Sequence, residues 1–218
     1  MNLDFSFLSD HWQDYARSAW VTLELSFFGV LLGTILGVLI ALLRISRVWP
    51  IKFVASAYIE LIRGTPMLVQ ILIIHYGLTV IGVNLPAFMS GVVALTINSS
   101  AYMAEVFRAG IQAIDKGQAE AARSLGLSHG MTLRYIILPQ AFRNMLPAIG
   151  NEFIIIIKDS SLVSMIGIAE IIYTARAVQG VTFQPLAPLL VAAAIYFVIT
   201  FTLANLLAWI ERRLSISR

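Results

Sequence analysis

Polar side chains recur at helical spacing inside an apolar stretch of the sequence near residue 100. Asn98, Tyr102 and Glu105 are spaced by four and then three residues, so a helix would place them on one face. Ser99 stands beside them in the sequence. If the stretch crosses a bilayer, an ionisable group at its centre costs about 2.5 to 3.5 kcal/mol on insertion scales, and such residues tend to mark a site. Amide and hydroxyl groups in this arrangement could hydrogen-bond the carboxylate of a small ligand.

Two carboxylates form a similar pattern farther along the chain. Glu152 and Asp159 are seven residues apart, which again places both on one helical face. They could bind the ammonium or guanidinium group of a ligand. The alternative is internal pairing, because Glu105 stands three residues before Arg108 and Lys158 is adjacent to Asp159. The predicted ligand contacts are Asn98, Ser99, Tyr102, Glu152 and Asp159.

The composition indicates a membrane protein. Hydrophobic residues make up 59% of the 218 residues and charged residues 12%, about half the charged share of an ordinary soluble domain. The basic residues lie beside apolar runs, which indicates membrane topology rather than nucleic-acid binding. The sequence has no cysteine, so thiol chemistry is excluded, and its three scattered histidines form no metal motif. We predict no catalytic site and no metal site.

Apolar runs of membrane-spanning length predict an all-α fold with about five transmembrane helices in one domain, residues 1–218. Gly82, Asn84 and Pro86 divide a long uncharged stretch into two of these spans. The fourth run contains charged residues and could be a bent or broken helix. The predicted spans are 20–43, 54–80, 87–107, 148–172 and 188–210, and a polar loop covers 108–147.

The positions of Lys and Arg predict the orientation, since loops rich in these residues stay in the cytoplasm. With five spans, one side would hold three basic residues in the first loop, five in the 108–147 loop and three at the C-terminal end. The other side would hold only Arg17 and Arg176. We therefore predict a multi-pass protein of the bacterial plasma membrane, with the N-terminus outside and the C-terminus in the cytoplasm.

The polar loop has the pattern of a helix, a turn and a second helix. Asp115 can cap the first helix, and Gln118 at the third helical position can return the bond. Gly126 permits the left-handed backbone that ends this helix, and Ser128 can cap the next one. Two alanines, 121–122, leave a flat surface that a partner could approach closely.

The same loop resembles the EAA loop of ABC importer permeases, which reads Glu-Ala-Ala, three residues, Gly, nine residues, Ile, one residue and Leu-Pro. Every position of that motif is matched between Glu120 and Pro139. The resemblance implies that the loop docks on a cytoplasmic ATPase and couples ATP hydrolysis to transport. The coupling residues that it implies are Glu120, Ala121, Ala122, Arg123, Gly126, Leu138 and Pro139.

Two further segments, 60–70 and 151–160, are similar to the polar amino acid permeases within this superfamily. The resemblance extends from about Thr22 to Arg213, with one departure at Ser18, where glycine is expected. It implies import of a polar amino acid, with a basic one as a candidate, delivered by an extracytoplasmic binding protein. A second permease subunit should complete the pathway, and a homodimer is favoured over a heterodimer.

The source of energy must lie in another chain, because no Gly-x-x-x-x-Gly-Lys-Ser/Thr phosphate loop occurs in the sequence. We expect no cofactor in this chain, and ATP and Mg²⁺ on a partner ABC ATPase dimer. The other expected partner is membrane lipid, and no nucleic acid is expected.

Residues 60–66 combine a charge pair with helix-breaking residues. Glu60 and Arg63 are three apart on one helical face, and we predict that they pair internally and stabilise a bend near Gly64 and Pro66. A ligand site at these residues is the alternative.

Two other functions remain open from the sequence. A gradient-driven transporter or channel would need no docking loop. An intramembrane hydrolase is suggested by residues 126–130, Gly-Leu-Ser-His-Gly, which fit a nucleophile pattern. That pattern requires a strand before the serine, and the sequence shows no strands.

Overall fold

The computed structural model describes residues 3–215, and over that range it is built of helices with no strand. The predicted all-α class is confirmed. The α-helices are α1 Leu8–Ile45, α2 Trp49–Gly64, α3 Met67–Val80, α4 Ala87–Gln112, α5 Lys116–Ser124, α6 His129–Thr132, α7 Leu138–Asp159, α8 Ile171–Thr182 and α9 Ala187–Ser215. A π-helical turn, Leu133–Ile137, joins α6 to α7, and a 3₁₀ helix, Ser160–Ile166, follows α7.

Three described helices, α1, α4 and α9, are long and apolar enough to cross a bilayer, and the pair formed by α2 and α3 would add a fourth span. This is fewer than the five predicted. The difference lies in α7, which carries Arg143, Glu152, Lys158 and Asp159 within one helix. Charges at these positions lower the hydropathy of α7 although the helix itself is regular.

Helix α1 begins at Leu8, whereas the sequence predicts a span from residue 20. The additional turns contain Asp10, Asp14 and Arg17. A span predicted from the sequence includes only the uncharged part of a helix. The helix itself can extend beyond the hydrocarbon core, where water solvates its charged residues.

A row of glycines brings α1 into close contact with α4. A Cβ atom at Gly33 would lie 2.7 Å from Cβ of Ser99, and one at Gly37 would lie 2.5 Å from Cβ of Met103. Real carbon atoms do not approach this closely, so both positions require glycine. Small residues spaced by four allow helix backbones to approach in this way within membranes. The contact is made by the face of α4 that carries Ser99 and Met103, and it fixes the rotation of α4 and therefore the direction of its other face, with Asn98 and Tyr102.

The predicted span at 54–80 is two helices, α2 and α3, bent by 109°. Thr65 between them has an extended backbone, with φ −114° and ψ 144°, and Pro66 precedes the first residue of α3. Proline disfavours helical backbone at the residue before it, which accounts for the extended Thr65. The bend lies at the position that Gly64 and Pro66 predict.

The ion pair predicted between Glu60 and Arg63 is not among those formed by the described residues. The guanidinium carbon of Arg63 lies instead 5.3 Å from the ring centroid of Tyr102. This cation–π contact connects α2 to α4 rather than stabilising one helix, and it is available because an aromatic face attracts a cation within about 6 Å.

Helix α7 crosses the predicted boundary between the polar loop and the fourth span. It runs from Leu138 to Asp159 with Pro147 inside it, so no break occurs at residue 147. The fourth apolar run is broken later, as the sequence suggests, by the 3₁₀ helix and by Gly167, whose φ is +83°. A glycine adopts this left-handed backbone without steric cost.

The described residues form two larger buried clusters and a smaller third one between α1, α2 and α4. In one of the larger clusters, Leu25, Leu95 and Ile156 pack together from α1, α4 and α7. In the other larger cluster, Tyr15 and Ile171 join α1 to α8. Beside this second cluster, Glu170 is fully buried and caps α8, accepting a 2.7 Å hydrogen bond from the Tyr173 N–H and a 2.6 Å bond from the Tyr196 hydroxyl.

Candidate functional site

Four of the five predicted ligand contacts line one cavity of about 240 Å³. Asn98 and Tyr102 reach it from α4, and Glu152 and Asp159 from α7. The other lining residues come from the bend and from α7, and they are Thr65, Met67 and Ile155. The two polar stripes, separated by some fifty residues of sequence, therefore converge on a single site.

Ser99, the fifth predicted contact, does not line this cavity. It is fully buried, and its Oγ would lie 2.9 Å from a Cβ atom at Gly33 of α1. Consecutive residues of a helix point about 100° apart, so Asn98 and Ser99 face different neighbours. The sequence places Ser99 beside the stripe but not on it.

The carboxylates give the cavity a negative lining. Glu152 is 6% exposed, and Asp159 is partly buried. Among the described residues, neither has a Lys or Arg nitrogen within 4.0 Å, and none of the lining residues is basic. The predicted alternative of pairing between Lys158 and Asp159 is therefore not formed at ion-pair distance. Two carboxylates of this kind can accept hydrogen bonds from an ammonium or a guanidinium group.

Glu105, the remaining polar residue of the α4 stripe, is engaged elsewhere. Its Oε2 lies 2.7 Å from Nη2 of Arg108, and its Oε1 forms an ion pair with Arg44 of α1. Internal pairing is thus the observed outcome for this residue. The pair with Arg44 connects α1 to α4 beyond the row of glycines.

Asn98 is held by a residue that the sequence analysis did not select. Its Nδ2 donates a 2.9 Å hydrogen bond to Oε1 of Gln70, which is buried in α3. Nε2 of Gln70 donates in turn to the carbonyl oxygens of Ile62, at 2.7 Å, and Thr65, at 3.0 Å. Gln70 thereby satisfies carbonyl groups that the break between α2 and α3 leaves without helical partners. The sequence did indicate this residue in one way, because Gln70 is a single side-chain amide within the apolar helix α3.

The polar loop forms the expected helix and turn. Oδ1 of Asp115 accepts a 2.6 Å hydrogen bond from the Gly117 N–H and caps α5. The predicted return bond from Gln118 is wrong, because its Oε1 accepts from Nε2 of Gln140 at 3.4 Å. This contact joins α5 to α7, so the residue connects two helices instead of closing its own cap.

The turn after α5 depends on glycine. Gly126 has φ +86°, the left-handed backbone that the sequence predicts. Ser128 then caps α6, with its Oγ accepting a 3.4 Å bond from the Met131 N–H. Leu125, which precedes the glycine, is 82% exposed and forms an apolar projection that the sequence analysis did not select.

All but one of the residues predicted to couple to an ATPase are exposed to solvent. Ala122 is the exception, with 4% exposure. The exposed ones are Glu120, Ala121, Arg123, Gly126, Leu138 and Pro139. They belong to α5, the turn after it and the start of α7, which form one helical hairpin joined by the hydrogen bond between Gln118 and Gln140.

Residues 29–216 match the family described as the binding-protein-dependent transport system inner membrane component. The chain belongs to this family. The predicted membership among ABC importer permeases is confirmed, and the chain is a helical, multi-pass permease subunit. A permease of this class implies an ATPase and a substrate-binding protein as partners.

Relatives of the permease match it over nearly its whole length. It is 39% identical over 215 residues to the arginine transport system permease protein ArtQ of Bacillus subtilis (strain 168), covering 98% of each chain. It is 40% identical over 204 residues to the L-cystine transport system permease protein TcyB of the same organism, covering 93% of this chain and 87% of that protein. These relatives are permease subunits of transport systems.

Solved structures have the same fold. The permease superimposes with a TM-score of 0.94 on a chain of the crystal structure of an amino acid ABC transporter with histidines, at 52% identity, covering 98% of this chain and 100% of that one. A chain of the MetNI methionine ABC transporter in an inward-facing conformation gives a TM-score of 0.74 at 19% identity, over 92% and 95% of the two chains, which shows the fold alone.

The hydrolase alternative has no structural support in the described residues. Residues 126–130 lie in the turn before α6 and in its first residues, whereas a nucleophile elbow requires a turn from a strand into a helix.

Proposed function

We propose that this permease is the transmembrane subunit of an ABC importer for polar amino acids, and that its substrate is a basic amino acid. The observation that carries the proposal is that Glu152 and Asp159 line one cavity without a basic partner within ion-pair distance among the described residues. Burying two carboxylates together is unfavourable unless a cation neutralises them. A basic ligand supplies that cation.

The cavity also contains a group that can bind the carboxylate of an amino acid. Asn98 uses one N–H of its amide to bind Gln70, so its second N–H is available to a ligand carboxylate. Thr65 lines the same space, but its hydroxyl already donates to the Leu61 carbonyl oxygen at 2.9 Å. Tyr102, with Arg63 over its ring, forms one wall. We assign the ammonium or guanidinium group to Glu152 and Asp159, and the carboxylate to Asn98.

The names of related proteins support an amino acid substrate. They include an arginine permease and a transporter whose crystal structure contains histidines, but also an L-cystine permease. Because the amino acids in these names differ in charge, our proposal of a basic substrate depends on the two carboxylates.

The hairpin of α5 and the start of α7 is proposed as the coupling element. Its exposed surface combines charges, Glu120 and Arg123, with the apolar projection of Leu125. Such a surface suits docking into a groove of a cytoplasmic ATPase, which would hold ATP and Mg²⁺. Closure of two ATPase subunits would move this hairpin and, through α7, the side chains of Glu152 and Asp159, which gives alternating access.

We propose the orientation predicted by the basic residues, with the N-terminus outside and the coupling hairpin and C-terminus in the cytoplasm. A second copy of the permease is proposed to complete the pathway as a homodimer. Helix α9 leaves most of its apolar surface uncovered by the rest of the chain, and lipid or the second copy would cover it.

The deciding experiment reconstitutes the permease with its ATPase and binding protein in liposomes. ATP hydrolysis and uptake of labelled arginine, histidine, glutamine and glutamate are measured together. We expect both rates to rise with arginine or histidine. If glutamine or glutamate is the only effective substrate, the basic specificity is wrong; if a solute equilibrates without ATP hydrolysis, a channel or gradient-driven transporter replaces the importer.

A further inference from the structure

An apolar groove of about 700 Å³ runs between α1 and α2 and shares no lining residue with the ligand cavity. Leu36, Ile40 and Leu43 form its wall on α1. Pro50, Ile51 and Val54 form its wall on α2. The volume falls within the range of about 300 to 1,000 Å³ that is typical of sites for small ligands.

The base of the groove has no polar group to offer a ligand. Tyr58 is its one polar lining residue, and its hydroxyl is already engaged with the Ile97 carbonyl at 3.1 Å and Ser100 Oγ at 2.7 Å. An occupant of this part of the groove must therefore be apolar, because a polar group entering it would lose its hydrogen bonds to water.

Two cations stand at the end of the groove where α1 turns into α2. Arg47 and Lys52 flank Pro50 and Ile51 in the sequence, and both are exposed. Neither forms an ion pair within 4.0 Å in the described part of the chain, whereas nearby Arg44 is paired with Glu105. Neither residue lines the groove itself, but the turn and the first turn of α2 that border it carry these two positive charges without an ion-pair partner among the described residues.

Aromatic residues mark the same end as the border of the bilayer. Trp49 is 71% exposed and Phe53 58% exposed, and their rings stack with centroids 5.5 Å apart. Exposed tryptophan at the end of an apolar helix is typical of the interface between lipid and water. A molecule lying in the groove thus has its apolar part at the depth of the acyl chains and its polar end at the depth of the headgroups.

We propose that this groove is a binding site for an anionic phospholipid. One acyl chain lies between α1 and α2, and the phosphate of the headgroup is bound by Arg47 and Lys52. Basic pockets between membrane helices on the cytoplasmic side are suited to anionic headgroups. The proposed orientation places this end of α2 in the cytoplasmic leaflet, although binding itself does not depend on the orientation.

Helix α2 connects the proposed lipid site to the ligand cavity. This helix carries the lipid groove at its N-terminal end and leads at its C-terminal end into the bend that places Thr65 and Met67 in the ligand cavity. A bound lipid would hold the first turns of α2 against α1.

The test uses the intact transporter, with its ATPase, and counts bound lipid by native mass spectrometry. Phosphatidylglycerol and phosphatidylcholine with the same acyl chains are titrated separately. We expect phosphatidylglycerol to bind at least roughly tenfold more tightly, because two cations near the membrane surface attract an anionic headgroup and not a zwitterionic one. The double variant Arg47→Gln/Lys52→Gln should remove that preference.

Two matched controls separate the site from general effects. Arg212→Gln/Arg213→Gln removes the same number of charges from the end of α9 and should leave the preference unchanged. Val54→Trp fills the groove with its charges intact and should weaken both lipids, whereas Val80→Trp, at the exposed end of α3, should not. Equal binding of the two lipids by the native chain, or equal loss in both double variants, would overturn the proposal.

A protein occupant is tested in membranes. The chain has no cysteine, so Val54→Cys provides a single attachment point for a photoreactive maleimide. Cross-linking to lipid is expected. A cross-link to a second permease subunit or to the ATPase as the main product would show that the groove is a protein interface, and the lipid site would be abandoned.

Discussion

Nδ2 of Asn98 lies 2.9 Å from Oε1 of Gln70, and this hydrogen bond joins α4 to the first turn of α3. Because Gln70 also binds the carbonyl oxygens of Ile62 and Thr65, one amide fixes both the bend and the orientation of a cavity residue. The position of Asn98 toward a ligand is therefore determined by the break between α2 and α3.

Replacing Gln70 with leucine should destabilise the bend. The variant removes the hydrogen bonds to two part-buried carbonyl oxygens and leaves the buried Asn98 amide without its Gln70 partner, at a cost of about 1 to 3 kcal/mol. We expect a melting temperature lower by several degrees and weaker substrate stimulation of ATP hydrolysis. Gln13→Leu, at an exposed position of α1, is the matched control. Equal melting temperatures for the two variants would contradict the role of Gln70.

Replacing Glu152 with glutamine should weaken transport of basic amino acids more than that of neutral ones. The variant keeps the shape of the side chain but removes a charge-assisted hydrogen bond, which corresponds to a loss of about tenfold to a hundredfold in apparent affinity for arginine. Uptake of arginine and glutamine measures the difference, and Glu211→Gln, on the exposed end of α9, serves as control. A similar loss for both substrates would show that Glu152 does not select charge.

Replacing Gly126 with valine should uncouple ATP hydrolysis from uptake. A β-branched residue at φ +86° is strained, at a cost of roughly 1 to 2 kcal/mol, so the turn should change shape while the long helices still insert. We expect ATP hydrolysis to persist with reduced uptake per ATP. Gly130→Val, in the following helix and without a positive φ, is the control. Unchanged uptake in Gly126→Val would remove the turn from the coupling mechanism.

Replacing Gly33 with alanine should separate α1 from α4. Its Cβ would lie 2.7 Å from Cβ of Ser99, which requires backbone movement at a cost of about 1 to 3 kcal/mol. The melting temperature of the purified protein should fall. Gly77→Ala provides a matched test, because nothing lies within 4 Å of a Cβ there. If both variants melted together, close packing at Gly33 would not contribute to stability.

The sequence predicts those features that depend on local chemistry. Asp115, Gly126 and Ser128 cap and end their helices as expected, since a cap or a left-handed residue is determined by a few neighbouring positions. Helical spacing also places Asn98 with Tyr102, and Glu152 with Asp159, on one face of their helices, whereas the meeting of the two faces in one cavity depends on how α4 packs against α7.

Features that depend on packing between helices could not be predicted in the same way. Arg63 has Glu60 one turn away, yet it lies over Tyr102 of another helix. Gln118 binds Gln140 instead of its own cap because α7 folds back beside α5. Ser99 is separated from its neighbour Asn98 by the direction of its side chain toward Gly33. In each case the deciding partner is distant in the sequence.

The row of glycines has a mechanical consequence. Gly29, Gly33 and Gly37 contribute no side chains to the contact with α4, so over this stretch little can rearrange between the two helices and they should move as one rigid unit. A movement that exposes the cavity first to one side of the membrane and then to the other must therefore change the backbone at joints beside the cavity. Those joints are the extended residue Thr65, which lines the cavity, and the 3₁₀ helix Ser160–Ile166, which begins directly after Asp159.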